Sequence, residues 1–337
     1  MLTLCFALGL LAVPAAADGP SEVDISGLTA AQARAMLDQI AAYTAEKPQP
    51  NLLLEDAGCT GVHALVCWAG DGEPVLFLSK GYNMSERGPD VWEDGTVVYD
   101  VGEAAVWSFR EGALARIAPQ ETGDVYTLYP NHLEVAGGAP DGSHSEYRFY
   151  SFADGASSDT PFITFVSDYD GWGTSTYTID GTEVTEQEFV ESSNALEDGE
   201  IAVAFHGGGV EYLIQNIPAA EETAARLWTV IAAAEDPRLC AGHLGVTVDG
   251  AEETRLVWTL ALQDENGYLT YCVTERNWKA ILGEQASTLP EELAAFHVDG
   301  QPYYKLRDLG RALEFNVGWS AQRGVFLETD KPYDPAD

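Results

Sequence analysis

Apolar residues recur every three to four positions in LTAAQARAMLDQIAAYTAE (residues 28–46), which predicts one amphipathic helix with Thr29 at its N-cap and a stop at the KPQPN breaker. Beyond it the period drops to two. Short runs rich in strand formers follow, among them VHALVCW, PVLFLS, GTVVYDV, AAVWSFR, DVYTLYP, HLEVAG, EYRFYSF, PFITFVSDY and STYTIDG, with Gly, Asp and Asn at the joints. Such spacing describes an antiparallel meander, barrel or sandwich. Alternation of Val106, Ser108 and Arg110 against Trp107 and Phe109 predicts one wet face.

The period then changes again. Thr185 and Glu188 form a capping-box signature before Phe189, so a helix closes the β-rich stretch. EIAVAF and GVEYLIQ read as two strands around a His206-Gly207-Gly208-Gly209 turn, and PAAEETAARLWTVIAAAE as a second amphipathic helix with Pro218 in its first turn. LGVTVDG and TRLVWTLALQDENG give further strands, VTERNWKAILG a short helix, and FHVDGQPYYKL a hairpin turning at Asp299-Gly300. In KLRDLGRAL, Leu306, Leu309 and Leu313 form one stripe of a short helix; Phe315, Val317 and Trp319, then Val325 and Leu327, alternate with Asn316, Gly318, Ser320, Phe326 and Glu328. The expectation is a private core in which these leucines and the tryptophan are buried together.

The fold class expected is α+β: an antiparallel β-rich central domain with flanking helices, and a small C-terminal α+β domain whose sheet wraps a short helix. The organisation reads as a signal peptide (1–17), a leader and helix (18–58), the β-rich domain with its closing helix (59–198), a strand pair with connecting helix (199–240) and a C-terminal domain (241–337). The first segment is an apolar run ending in the small-residue site Ala15-Ala16-Ala17, although no Lys or Arg precedes it. No later segment has the apolar length of a membrane span.

Among 337 residues, 17 Lys and Arg stand against 54 Asp and Glu, a formal charge of −37, and most of the excess lies before Cys240. A field of that sign repels nucleic acid and anionic lipid, and both are excluded as partners. Its ordinary meaning is a solvated surface, with diffuse calcium binding as the alternative. Cys5 falls in the signal segment, and Cys59, Cys67, Cys240 and Cys272 remain, either as Cys59–Cys67 and Cys240–Cys272 disulfides or as buried thiols.

Candidate chemistry is sparse. Asp168 and Asp170 in SDYDGWGTSTY imitate the opening of a calcium loop, but Trp172 and Ile179 occupy positions where acidic ligands belong, so a Gly-rich turn is the better reading and no cofactor is expected. Tyr169 and Trp172 beside those acids could stack on a sugar, while most aromatics of a β-rich chain are core. HGGGV resembles an oxyanion loop, yet no G-x-S-x-G elbow accompanies it, and HExxH, Walker A and GxGxxG are missing as well.

VDGQPYYKLRDLGRALEFNVGW and the terminal VFLETDKPY, with the earlier VTVDG and ALQDENGYLTYCVTERNWKAIL, resemble the copper amine oxidase N-terminal-domain family, a module of exported and surface proteins of Gram-positive bacteria. The resemblance covers about residues 243–333, as one domain or two degenerate halves. It implies a non-catalytic stalk or wall-associated element. The quinone-forming Asn-Tyr-(Asp/Glu)-Tyr motif and a His-x-His pair belong to another domain of those enzymes, and neither stands in this sequence. The middle region, through Asp71-Gly72-Glu73-Pro74 and YTIDGTEVTEQEF, is similar to secreted Firmicutes proteins without an established activity.

The function expected is that of an exported, non-catalytic cell-envelope or extracellular protein that binds a cell-wall or extracellular glycan or protein. The alternative is a secreted glycan hydrolase with paired carboxylates in the β-rich domain.

Overall fold

The computed structural model describes residues 24–47, 59–84, 88–93, 95–118, 125–139, 142–153, 156, 159–197, 199–205, 212–249, 251–265, 268–274, 278, 293–298, 300–320 and 324–335. The signal-like segment, the HGGG turn and the helix expected over VTERNWKAILG, apart from 273–274 and 278, lie outside them. In chain order the elements are α1 (Ala30–Ala45), β1 (Cys59–Trp68), β2 (Pro74–Tyr82), β3 (Asp90–Val91), β4 (Val97–Tyr99), β5 (Val101–Arg110), β6 (Ala113–Ile117), β7 (Val125–Leu128), β8 (His132–Gly138), β9 (His144–Ser151), β10 (Ile163–Tyr169), β11 (Ser175–Ile179), β12 (Thr182–Val184) and α2 (Glu186–Asn194). There follow β13 (Ala202–Phe205), β14 (Tyr212–Gln215), α3 (Ala220–Glu235), β15 (Leu239–Val248), β16 (Ala251–Gln263), β17 (Leu269–Val273), β18 (Ala295–Val298), β19 (Gln301–Lys305), α4 (Leu306–Leu313), β20 (Asn316–Ser320) and β21 (Gly324–Glu328). The chain is β-rich and α+β, as its periodicities require.

It divides into two compact units: Gln39–Thr223 with Asp24, and Ile25–Asp38 with Ala224–Asp337. In the first, a four-stranded sheet, β1-β2-β5-β6, faces a ten-stranded sheet, β12-β11-β10-β9-β8-β7-β13-β14-β4-β3. The chain passes from one to the other at Asp100, between β4 and β5. Leu65, Val75, Phe77 and Val106 from the small sheet meet Leu128, Leu133, Val135 and Tyr150 from the large one in the main core. Each such side chain contributes about 1.5–3 kcal/mol by leaving water.

The expected wet face of β5 is not there. Nine of its ten residues are buried, as are all nine of β2. Behind the small sheet, Tyr43 of α1 meets Trp107 edge-on at 5.5 Å. A solvated face was inferred from Ser108 and Arg110, but Ser108 is fully buried, and Arg110 donates to the carbonyls of Phe152 at 2.6 Å and Ser151 at 2.8 Å. Alternation records which residues share a side; it does not say whether that side is covered.

Both expected helix caps form. Thr29 Oγ1 accepts from the Gln32 N–H while Gln32 Oε1 accepts from the Thr29 N–H, and Thr185 with Glu188 makes the full capping box of α2. Phe189 of α2 then packs with Phe149 and Phe165 in a separate small core on the large sheet.

The second unit holds a seven-stranded sheet, β18-β19-β17-β16-β15-β21-β20, in which β15 and β21 run parallel and the other pairs antiparallel. Leu306 and Leu309 of α4 pack with Val273, Trp278, Phe315, Val317 and Leu327, with Leu313 partly buried against them. A Cβ on Gly310 would lie 2.6 Å from Val317 Cγ2 and 2.8 Å from the Phe315 carbonyl, so glycine is what lets this helix approach its sheet.

Two expectations are corrected here. Trp319 is outside the core at 64% exposure, and Phe326, placed on the polar side by its position, is buried because its ring lies over Gly318, where a Cβ would be 2.2 Å away. All four remaining cysteines are free thiols. Cys59 and Cys67 stand eight residues apart on one extended strand, far beyond disulfide reach. Cys240 pairs with Ala261 and Ala261 with Tyr271, so Cys240 shares a sheet face with Tyr271, and Cys272 points the opposite way.

Candidate functional site

The residues singled out from the sequence sit on the β10–β11 hairpin of the first unit. The Asp170 carboxylate accepts the backbone N–H groups of Trp172 at 2.7 Å and Thr174 at 3.1 Å, and those bonds hold it below the ordinary aspartate range. Asp168 Oδ1 lies 2.7 Å from His144 Nδ1. One carboxylate therefore closes the turn through Gly171 and Gly173, both at positive φ, and the other pairs with histidine across the strand. Among the described residues no group of three or more His, Cys, Asp or Glu is placed to hold a metal ion. Trp172 stands 93% exposed on the tip and Tyr169 43% exposed behind it. A ring on a turn offers a point of contact without enclosing a ligand.

A concave site lies elsewhere, on the second unit. With a side-chain period of two, Leu269, Tyr271 and Val273 share one face of β17, Val317 and Trp319 one face of β20, and Val325 and Leu327 one face of β21. Helix α4 has eight residues, about 12 Å of length, and it buries Val273, Val317 and Leu327 of that face, while Tyr271 and Val325 are only partly buried against the same core. Beside its first turn the apolar face is open. The result is a groove of about 470 Å³ lined by Tyr268, Leu269, Tyr271, Leu306, Arg307 and Trp319, among others. Tyr268 is 75% and Trp319 64% exposed. Tyr271, Leu306, Val317 and Val325 belong both to the groove and to the core beneath it, so its floor is rigidly packed.

Buried polar clusters occupy the first unit. Lys80 and Glu103, a directly opposed pair on β2 and β5, form an ion pair at 3.0 Å with 0% and 3% exposure. Tyr82 donates to Glu103 Oε1 at 3.0 Å, and Lys80 Nζ donates to the Glu46 carbonyl at 3.2 Å and lies 4.2 Å from the Tyr43 ring centroid. The second cluster surrounds Glu134 of β8. Burial pushes its carboxyl up to about 7, opposed by the hydrogen bond from Tyr129 at 3.1 Å and helped by the charges of Glu197 and Glu200. The Tyr129 ring stacks on His132 at 4.8 Å, and burial lowers that histidine's pKa. In the third, His63 bridges the Ile217 carbonyl at 3.1 Å and the Tyr99 hydroxyl at 2.9 Å.

Sequence reasoning singled out the hairpin tip and missed the groove. The signal lay in LTYCV, which was not read as a strand although its Leu269, Tyr271 and Val273 share one face, beside a helix as short as KLRDLGRAL.

No family model matches the chain, and neither the curated proteins nor the solved structures yield a match. Among the described residues no helix is long and apolar enough to cross a membrane.

Proposed function

We propose that this is an exported, non-catalytic binding protein whose C-terminal unit holds a cell-wall or extracellular glycan in the groove between β17, β20 and the start of α4. The observation that carries the reading is the pair of exposed aromatic rings, Tyr268 and Trp319, set in a concave apolar surface on a packed floor. Exposed apolar concavities of this kind are uncommon on folded proteins unless something binds there. Aromatic faces take the C–H faces of sugar rings while Thr270 and the tyrosine hydroxyls offer polar contacts. Export is supported by the apolar, small-residue-bounded run at 1–17, and a wall-associated role by the resemblance carried by YYKLRDLGRALEFNVGW.

The hydrolase alternative needs an acid of raised pKa open to substrate. Glu134, raised to about 7, is 7% exposed and already accepts a hydrogen bond from Tyr129; Glu197 and Glu200 are raised by burial too and are exposed, so chemistry of that kind would fall on them. Affinity electrophoresis through gels containing neutral and carboxylated polysaccharides tests the proposal. The chain is expected to be retarded by at least one glycan, and Trp319→Ala to migrate freely with an unchanged melting temperature. Equal migration of both proteins in every gel overturns it.

A further inference from the structure

We infer that the segment joining α2 to β13 is a pH-sensitive strap, closed over the outer face of the large sheet while Glu134 is protonated and loosened as Glu134 ionises. Leu133 and Val135 of β8 belong to the main core, so Glu134 between them points to the opposite face, where its register partner Phe149 lies in the small core with Phe165 and Phe189. Leu196 packs against that small core, and its carbonyl accepts a hydrogen bond from the His132 ring. Further along, the Ile201 N–H donates to the Leu128 carbonyl at 2.7 Å. The strap is thus fastened at both ends, and between the fastenings it carries Glu197 and Glu200, whose charges act on Glu134.

The other elements around Glu134 bring no cation to it among the described residues. The β7–β8 turn supplies the Tyr129 hydroxyl, which donates at 3.1 Å; β8 supplies His132, whose pKa burial lowers; β9 supplies Tyr147, whose pKa is raised by burial and then by the Glu134 charge. Arg148 pairs with Val135 and so faces the other way. An anion at Glu134 therefore sits almost enclosed, with one hydrogen bond and two like charges. Lifting the strap takes Glu197 and Glu200 away and admits water, which returns the carboxyl from about 7 to its ordinary 4.5. Below 4.5 the open and closed forms hold the same proton, and pH does not favour either. Between 4.5 and 7 the open form releases a proton that the closed form keeps, so opening grows as pH rises, and above 7 it levels off. At tenfold per unit of separation, the opening constant rises about 40-fold between pH 5 and pH 7 and less than about twofold more by pH 8. Each opening lifts Leu196 from the small core and bares part of it.

The test is amide hydrogen exchange of the full chain at pH 5, 7 and 8, read at the hydrogen-bonded Leu196 and Ile201 amides and expressed relative to the unstructured sequence at the same pH. In the parent these amides are expected to lose protection at least tenfold from pH 5 to pH 7 and to change little by pH 8, and in Glu134→Gln to keep the same protection throughout. About 1 M urea should leave their exchange unchanged while it speeds that of β2 and β5, because opening the strap exposes little surface and global unfolding exposes much. Tyr129→Phe makes the test without touching the carboxyl. It removes the hydrogen bond that favours the anion and should carry the loss of protection on past pH 7, where the parent has levelled off. A fall of less than tenfold in the parent, an equal fall in Glu134→Gln, a Tyr129→Phe profile identical to the parent's, or a urea response in step with β2 and β5 overturns the inference.

Discussion

Replacing Glu134 by glutamine should make the first unit more stable at alkaline pH. In the fold the carboxyl titrates near 7, against an ordinary value of 4.5, because burial disfavours its anion more than the Tyr129 hydroxyl stabilises it. At about 1.4 kcal/mol per pH unit, that gap corresponds to about 3 kcal/mol. Below 4.5 both the folded and the unfolded chain are protonated at this site, and its contribution is fully present. Between 4.5 and 7 the unfolded chain releases a proton that the folded one keeps, so stability falls as pH rises. Above 7 the fold carries a buried anion close to Glu197 and Glu200. Glutamine has the shape of the protonated acid and still accepts from Tyr129. The assay is thermal unfolding of parent and Glu134→Gln, followed by circular dichroism at pH 5 and pH 8. The two should melt within about 3 °C of each other at pH 5, and at pH 8 the variant should melt about 6–12 °C higher, given about 2–4 °C per kcal/mol for a unit of this size. Parallel pH profiles, or a variant less stable at pH 8, would refute the reasoning, since either would mean that burial does not control this carboxyl.

Other consequences can be checked the same way. Lys80→Met leaves Glu103 buried without its cation and should destabilise the first unit by about 3–5 kcal/mol, whereas Lys80→Met with Glu103→Leu should recover most of the loss; equal denaturation midpoints for the single and double variants would contradict this. Gly102→Ala puts a Cβ 2.0 Å from Tyr212 Cγ and should lower stability by about 1–3 kcal/mol, read from urea unfolding. Burial raises the thiol of Cys67 to about 12 and that of Cys272 to about 11; it raises Cys59 as well, but Cys59 is the exposed one of the four. Native labelling with a thiol reagent at pH 8 should therefore modify Cys59 first and Cys67 only on unfolding, and Cys59→Ser should remove the fast phase.

Much of the fold was legible because local chemistry and tertiary structure agree. The caps at Thr29 and Thr185, the hairpin at Gly300 and the stripe of Leu306 and Leu309 are short-range patterns, and short-range patterns survive folding. What could not be read was coverage. Ser108 and Phe326 look polar-side from their alternation but are enclosed by Phe152 and by the gap above Gly318, partners distant in sequence or missing a side chain altogether. Trp319 errs in the other direction. It lies on the same face as Val317, as its spacing requires, yet α4 ends its cover before reaching it. The candidate site was invisible for that reason: a groove is a relation between the extent of a helix and that of a sheet, and neither periodicity contains it. The buried Lys80 was similarly hidden, since its partner Glu103 is set by strand register alone.

Hydrogen–deuterium exchange of the full chain, with and without a saturating retarding glycan, tests the central claim most directly. Ligand should slow exchange in peptides covering 268–273 and 317–325 and leave the 169–174 hairpin unchanged. Protection confined to that hairpin, around Trp172, would contradict the account and move the binding surface to the first unit.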